Sequence, residues 1–398
     1  MNRKFSASWV FPLNSPPLRN GIVEVDDQGV ITGLTDTGGF LTEMERLEYH
    51  SGIIVPGFVN THCHLELSHL HGKIPSGIGL SAFLGGINQL RSAPEESMLQ
   101  AAIRADRDMF RRGISAAGDI SNSSITAAIK QKSPVRYFTF VETFGFHPAR
   151  AEKAFLKALS VWKGFHDAGL TASVVPHAPY SVSSQLFSRI SLLEHDKSSI
   201  ISIHNQESES ENRFFRSGDG PLINHFSNHI GLDTTSWEPT GKNSLESVIQ
   251  YLPADKPLLL VHNTYMKRND IRKLKNLRDS SGTYLVLCPG SNLYIENRLP
   301  PVELFRDEGM NICLGTDSLA SNSTLSILAE MIILHFNFPD IGLNELLTWA
   351  CTNGSKALGL ESVFGTLEPG KNPGVLLLTG VDLKKLLLTP ATRVKRLV

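Results

Sequence analysis

The chain has 398 residues, 41% of them apolar and 19% charged, and its 38 basic and 39 acidic side chains leave a formal net charge of −1. Near-neutrality excludes a global field for nucleic acid or an anionic membrane surface, and no run approaches the roughly 18 apolar residues of a membrane span. The expected partner is a small molecule, with no nucleic acid and no membrane. Cys63, Cys288, Cys313 and Cys351 are scattered, three of them in apolar runs, which predicts buried thiols in a reducing compartment and no disulfide framework. The opening MNRKFSASWVFPLNSPP is too broken by polar residues and prolines for a signal-peptide apolar segment, so the expected location is cytoplasmic.

In chain order, residues 1–52 read as short strands such as GIVEV and GVITGL, joined by the turns DDQG and DTGG. Eight apolar runs follow across residues 53–362: GIIVPGFVN, GISAAGDIS, VRYFTFVET, TASVVPHAPYS, SIISIHNQE, PLLLVHNT, TYLVLCPGSN and MNICLGTDS. Their apolar residues do not alternate, the mark of strands buried on both faces of a parallel sheet. Segments with helical spacing lie between them. SMLQAAIRADRDMFRRG places Leu99, Ile103 and Phe110 near one face; EKAFLKALSVWKGFHDAG does the same with Phe155, Leu156, Leu159 and Trp162, and each ends in a glycine. Eight strand–helix alternations predict an α/β fold of the (β/α)₈ TIM-barrel type. No glycine-rich phosphate loop follows the first strand, which counts against a doubly wound sheet. The irregular stretch from Ser217 to Ser244 is a lid candidate. Residues 363–398 repeat the texture of the N-terminus in GTLEPGKNPGVLLLTG, so the two ends are expected to pair as a small β-sandwich domain.

Catalytic side chains of such a barrel project from the C-terminal ends of its strands. PGFVNTHCHLELSHLHG holds four of the 14 histidines, His62, His64, His69 and His71. With a strand period of two, His62 and His64 point one way and Cys63 the other. The fifth strand ends in His204, the sixth in His262 and the eighth in Asp317. Imidazole nitrogens with a carboxylate suit a borderline divalent metal, zinc or ferrous iron. His69 and His71 fall in the following loop, where a solvated or structural role is expected.

With these residues in view, the sequence resembles the amidohydrolase superfamily, in its cytosine-deaminase and chlorohydrolase-like branch, over nearly the whole chain. The segments that carry the resemblance are PGFVNTHCHLELS, PHAPYSVS, HNQESESE, LVHNTY, CPGSNLYIENRLPPV, LGTDSLASN and GTLEPGKNPG. It implies His62, His64, His204 and Asp317 as metal ligands, Glu207 as the acid–base carboxylate and His262 as a further active-site histidine. Binuclear members bridge two metals with a carboxylated lysine from the fourth strand. Here ASVVPHAPYS ends that strand with His177 and no lysine, which implies one divalent metal, zinc first and iron second. No C-x-x-C occurs, so the compact cytidine-deaminase zinc site is excluded.

The implied chemistry is hydrolytic deamination of an amino-substituted N-heterocycle. Asp317 would take a proton from water, and Glu207 would give one to the ring, with His262 polarising the reacting group. HLELS also resembles deaminases of 6-amino-6-deoxyfutalosine, an adenine-bearing substrate, and so points toward adenine nucleosides. Chloride expulsion from a triazine and deamination of a guanine- or cytosine-type base are the alternatives. A non-catalytic binding relative would typically have lost ligands that this chain keeps. Glu66, Glu142, His177, Trp237 and Asn292 are candidate substrate contacts, from their positions at strand ends and in the lid region. The resemblance also implies a homodimer.

Overall fold

The computed structural model describes residues 2–193, 199–234 and 237–398. Strands β1 (Arg3–Val10), β2 (Leu18–Arg19), β3 (Ile22–Val25), β4 (Ile31–Thr35) and β5 (Leu47–Pro56) open the chain. The next eight are β6 (Phe58–Cys63), β7 (Ile114–Ser121), β8 (Arg136–Thr143), β9 (Ala172–Pro176), β10 (Ile201–Asn205), β11 (Leu258–His262), β12 (Thr283–Leu287) and β13 (Asn311–Leu314). Two more, β14 (Val375–Thr379) and β15 (Arg393–Arg396), close it.

The two chain ends meet, and their hydrogen bonds make one mixed seven-stranded sheet, β15-β14-β5-β1-β3-β4 with β2 beside β1. The reason is β1, which pairs with β3 on one side and β5 on the other and so joins both halves into one ladder. Phe5, Val23, Ile31, Ile54 and Leu377 form a core cluster of its own there. The expected boundary at residue 52 falls inside β5, whose first residues are mostly exposed and whose last five are all buried. GIIVPGFVN, read as one strand, is split between β5 and β6 at Gly57. A Cβ at Gly57 would stand 2.0 Å from Ser115 Oγ and 2.2 Å from the Pro373 carbonyl oxygen, so only glycine allows the chain to pass from one sheet to the other here.

The eight middle strands run parallel in two sets of four, β6-β7-β8-β9 and β10-β11-β12-β13. Both faces are buried: β7, β10, β11 and β12 have no exposed residue, which is why their sequences do not alternate. The sets also touch near their C-terminal ends. The His204 amide donates to the His177 carbonyl at 3.0 Å, and the Thr316 and Asp317 amides donate to the His62 carbonyl, each at 3.0 Å.

Helices α1 (Leu80–Leu90), α2 (Glu95–Arg111), α3 (Ala127–Lys132), α4 (Ala151–Asp167), α5 (Ser184–Ser191) and α6 (Glu209–Ser217) follow the first five of these strands. α2 and α4 exist where periodicity predicts them, and the expected Phe110, Phe155, Leu159 and Trp162 pack partly buried against the core. α2 buries Ala101, Ala102, Ala105 and Met109, and α4 buries Ala151, Ala158 and Phe165 while Leu156 is 55% exposed. Small side chains let a helix axis approach the strands closely, and the larger residues then pack at the flanks. Among the described residues, no helix is long and apolar enough to cross a membrane.

Candidate metal centre and active site

His62 lies at the end of β6, and His64 stands just beyond it at the start of a 3₁₀ turn, Leu65–Leu70. His204 and His262 come from the ends of β10 and β11, and Asp317 follows β13. All five are buried. The Nε2 atoms of His62 and His64 are 3.1 Å apart, and Asp317 Oδ1 is 3.6 Å from the first and 3.2 Å from the second. Two ligands of one tetrahedral cation, each bound at about 2.0–2.1 Å, stand roughly 3.4 Å apart, so this spacing fits a single ion. One donor atom each from His62, His204, His262 and Asp317 also lies within 4.8 Å of the others. Cys63 faces away, its Sγ 3.5 Å from Asp119 Oδ1.

The neighbours fix how these groups present themselves. His204 Nδ1 is 2.8 Å from the His177 carbonyl, which can only accept, so Nδ1 carries the proton and Nε2 keeps its lone pair. Asp317 Oδ2 accepts from Ser291 Oγ at 2.6 Å and Ser321 Oγ at 2.5 Å, leaving Oδ1 toward the histidines. His262 and Asp317 both hold positive φ, 73° and 57°, a strained backbone for non-glycine residues and one that clusters at functional sites. Burial pushes the imidazole of His204 down to about 4 and those of His64 and His262 well below the ordinary histidine range. For Asp317 burial acts upward, but the hydrogen bond with His62 and the charges of His64 and His262 hold it well below the carboxylate range. Neutral imidazoles around an ionised carboxylate are the donor set a divalent metal requires.

Glu207 is buried beside this cluster, its Oε1 3.6 Å from His262 Nε2. Burial, then the charges of Asp317, Glu211 and Glu296, pushes its carboxyl well above the usual carboxylate range. Its position is set by Glu211 in the first turn of α6. The two carboxylate oxygens of Glu211 accept from the Gln206 amide at 2.9 Å and the Glu207 amide at 3.1 Å.

A cavity of about 1060 Å³ opens over these groups, lined by His64, His204, Glu207, His262 and Asp317 at the strand ends. Of the expected substrate contacts, Glu142 and His177 line it. Glu142 Oε1 is 3.4 Å from His204 Nδ1, and Glu142, His177 and His204 form a second group of donors within 4.8 Å. Glu66, Asn292 and Trp237 do not line it. Glu66 turns back to accept from the Asn122 amide at 3.1 Å and Ser123 Oγ at 3.2 Å. Asn292 donates to Thr264 Oγ1 at 2.6 Å, and Trp237 stacks on Phe214 with ring centroids 3.9 Å apart. Each of the three is held by a protein partner instead. His69 is buried, its Nδ1 3.1 Å from the Glu66 carbonyl, and His71 is exposed. Within the lid candidate, Phe226, Ile230 and Leu232 line the cavity, while Thr235 and Ser236 lie outside the described residues. Sequence reading missed Ser291, Ser321 and Glu211, although Ser321 lies in DSLAS, which begins at the predicted ligand Asp317. It also missed the aromatic wall of Phe83, Phe144, Phe146 and Tyr180.

Residues 53–392 match the family model described as the amidohydrolase family. The chain belongs to the amidohydrolase family. It is 27% identical over 327 residues to an adenosine deaminase of Helicobacter pylori, covering 81% of this chain and 78% of that one. An aminodeoxyfutalosine deaminase of Deinococcus radiodurans is 26% identical over 336 residues, 80% of this chain and 76% of its own. Among solved amidohydrolase-type folds, the aminofutalosine deaminase of Helicobacter pylori in complex with methylthio-coformycin superposes with a TM-score of 0.80. It is 24% identical, over 94% of this chain and 92% of the other, a likeness of fold.

Proposed function

We propose that this amidohydrolase is a metal-dependent hydrolytic deaminase of an adenine nucleoside-type substrate, such as 6-amino-6-deoxyfutalosine. The observation that carries the reading is the meeting of a buried carboxyl, Glu207, with the His and Asp cluster in one cavity. Our reading assigns His62, His64, His204 and Asp317 as ligands of one zinc, with ferrous iron as the alternative, because the His62, His64 and Asp317 donors are spaced for one small cation and His204 has a donor within 4.8 Å of those of His62 and Asp317. When bound, such a metal supplies a water acidified from a pKa of 15.7 toward about 7. Glu207 gives its proton to a ring nitrogen as water oxygen bonds to the neighbouring amino-bearing carbon. Asp317 accepts a proton of that water and delivers it to the amine nitrogen. The C–N bond then breaks, ammonia leaves, and Glu207 recovers a proton as the ring carbonyl forms. His262, 3.6 Å from Glu207, holds the added oxygen. Glu142 and His177 contact the substrate. The names of the relatives support the adenine assignment.

The same reading treats the two four-stranded sets as one closed (β/α)₈ barrel of residues 53–362. The edge bonds at His204, Thr316 and Asp317 support it. The sheet that unites the ends supports a second, small domain from 1–52 and 363–398. Four buried, unbonded cysteines support a cytoplasmic location. The test is release of ammonia from a panel of aminopurine nucleosides and free bases, and of chloride from chlorinated triazines, by metal-reconstituted protein. Turnover is expected for adenine nucleosides; ammonia from none of them, with metal bound, overturns the reading.

A further inference from the structure

Three of the clustered residues are tied to a neighbouring strand end by a backbone-to-backbone hydrogen bond. The His204 amide goes to the His177 carbonyl, the Asn263 amide after His262 to the Asn205 carbonyl at 2.9 Å, and the Asp317 amide to the His62 carbonyl. His64 differs. It lies past the end of β6 with φ −127° and ψ 83°, between strand and 3₁₀ turn, so no ladder fixes its direction. The ladder before it is irregular as well. Asn60 pairs with Ala117 and Cys63 with Asp119, so β6 carries one extra residue across Thr61 and His62. What holds the chain here is a side chain of β7. Asp119 Oδ1 accepts from the Leu65 amide at 2.7 Å and lies 3.5 Å from the Cys63 thiol, so one oxygen meets the donors on both sides of His64. Asp119 is itself clamped. Its Oδ2 takes Lys130 Nζ of α3 at 2.6 Å and Ser121 Oγ at 3.2 Å. Lys130 also donates to Ser121 Oγ and Thr139 Oγ1, each at 3.0 Å, and its Nζ sits 4.5 Å from the centre of the Phe165 ring. Both side chains of the pair are fully buried. Such a pair is often no more stabilising than apolar side chains of the same volume, so fold stability alone does not account for it.

We infer that Asp119 is a positioning residue for the metal centre: clamped by Lys130, it holds the Leu65 amide and so aims His64 at the point it shares with His62 and Asp317. This rests on the metal-ligand reading of those residues and deepens it. His64 Nε2 stands 3.1 Å from His62 Nε2 and 3.2 Å from Asp317 Oδ1, and the bonds to one bound cation hold to about ±0.2 Å. A small swing of the peptide after His64 therefore takes its ring out of range. Asp119 supplies no donor atom to the cluster and acts through the backbone alone.

The test compares two double variants of the full chain, Asp119→Asn/Lys130→Met and Asp119→Leu/Lys130→Met. Neither keeps a buried charge, but only the asparagine keeps an oxygen that accepts from the Leu65 amide. In a competitive chelator titration with zinc, the asparagine variant should bind within about threefold of wild type. The leucine variant should bind about 10–100-fold more weakly, the usual effect of losing a group that orients a ligand. The visible absorption of cobalt(II)-loaded protein, which reports ligand geometry, should match wild type in the first variant and differ in the second. If leucine overpacks the site and the chain does not fold, Asp119→Ala/Lys130→Met takes its place with the same expected weakening. Equal zinc affinities in the two double variants overturn the inference. Both near wild type would make Asp119 a structural residue only, and both equally weakened would mean that the ion pair acts by its charge. Wild type that takes up no zinc overturns the metal reading beneath it.

Discussion

Replacing Glu207 by glutamine keeps the side chain's size while removing its capacity to give and take a proton. Three features make the expected loss large and confined to chemistry. The residue is 4% exposed, so bulk water does not substitute for it as a donor. Its Oε1 lies 3.6 Å from His262 Nε2, outside the set of donor atoms gathered around His62 and Asp317. Its backbone is held by Glu211, so the glutamine inherits the same position. General acid–base steps contribute about 10²–10⁴-fold, which is about 3–5 kcal/mol of barrier, so kcat in the ammonia assay should fall by that factor. Elemental analysis should find metal near the wild-type content. His62→Ala is the contrast, losing metal and activity together. The pH profile adds an independent reading. Because burial raises the Glu207 carboxyl, wild-type turnover should persist through neutral pH and fall on the alkaline side as that proton is lost. The residual activity of Glu207→Gln should lack that alkaline limb. Turnover within about threefold of wild type refutes the role of Glu207 as proton donor, and loss of the metal refutes the separation between donor and ligands.

Ser321→Ala removes one of two hydroxyl donors from Asp317 Oδ2, and the apparent metal affinity should fall about 10–100-fold in a competitive chelator titration. An unchanged affinity would mean that the serine does not tune the ligand. Lys130→Met leaves Asp119 buried without its 2.6 Å partner, and urea unfolding should show a loss of about 3–5 kcal/mol. A loss below about 1 kcal/mol would contradict a fully desolvated pair. Glu330 is pushed up to about 8 by burial, against the hydrogen bonds from the Gly290 amide and Asn322. A raised folded-state pKa gives stability that is full below the unfolded value near about 4.3 and is lost as pH rises through about 8. Between about pH 6 and 9 the urea midpoint of Glu330→Gln should therefore fall less than that of wild type. Parallel curves would place the Glu330 pKa outside this window.

What the sequence made legible was set by periodicity. A period of two put His62 and His64 on one side and Cys63 on the other, and the structure has His62 and His64 with nitrogens 3.1 Å apart. Ends of apolar runs located His204, His262 and Asp317, because a buried strand stops where polar groups begin. A strand end fixes the backbone and leaves the side-chain direction open. Glu142 and His177 turn to the cavity, whereas Glu66, two residues past His64, is taken by donors from Asn122 and Ser123, more than 50 positions away. No local pattern carries that partner. Glu211 had a local signal: Ser208 and Glu211 have the spacing of a helix capping box, and Ser208 Oγ accepts from the Glu211 amide at 3.3 Å. The carboxylate goes one step further and cradles the two amides of the loop that carries Glu207. Amphipathic spacing found the large residues of α2 and α4 that pack against the core, Phe110, Phe155, Leu159 and Trp162, but not the alanines buried most deeply, because how near a helix approaches the strands is decided by volume and not by hydrophobicity.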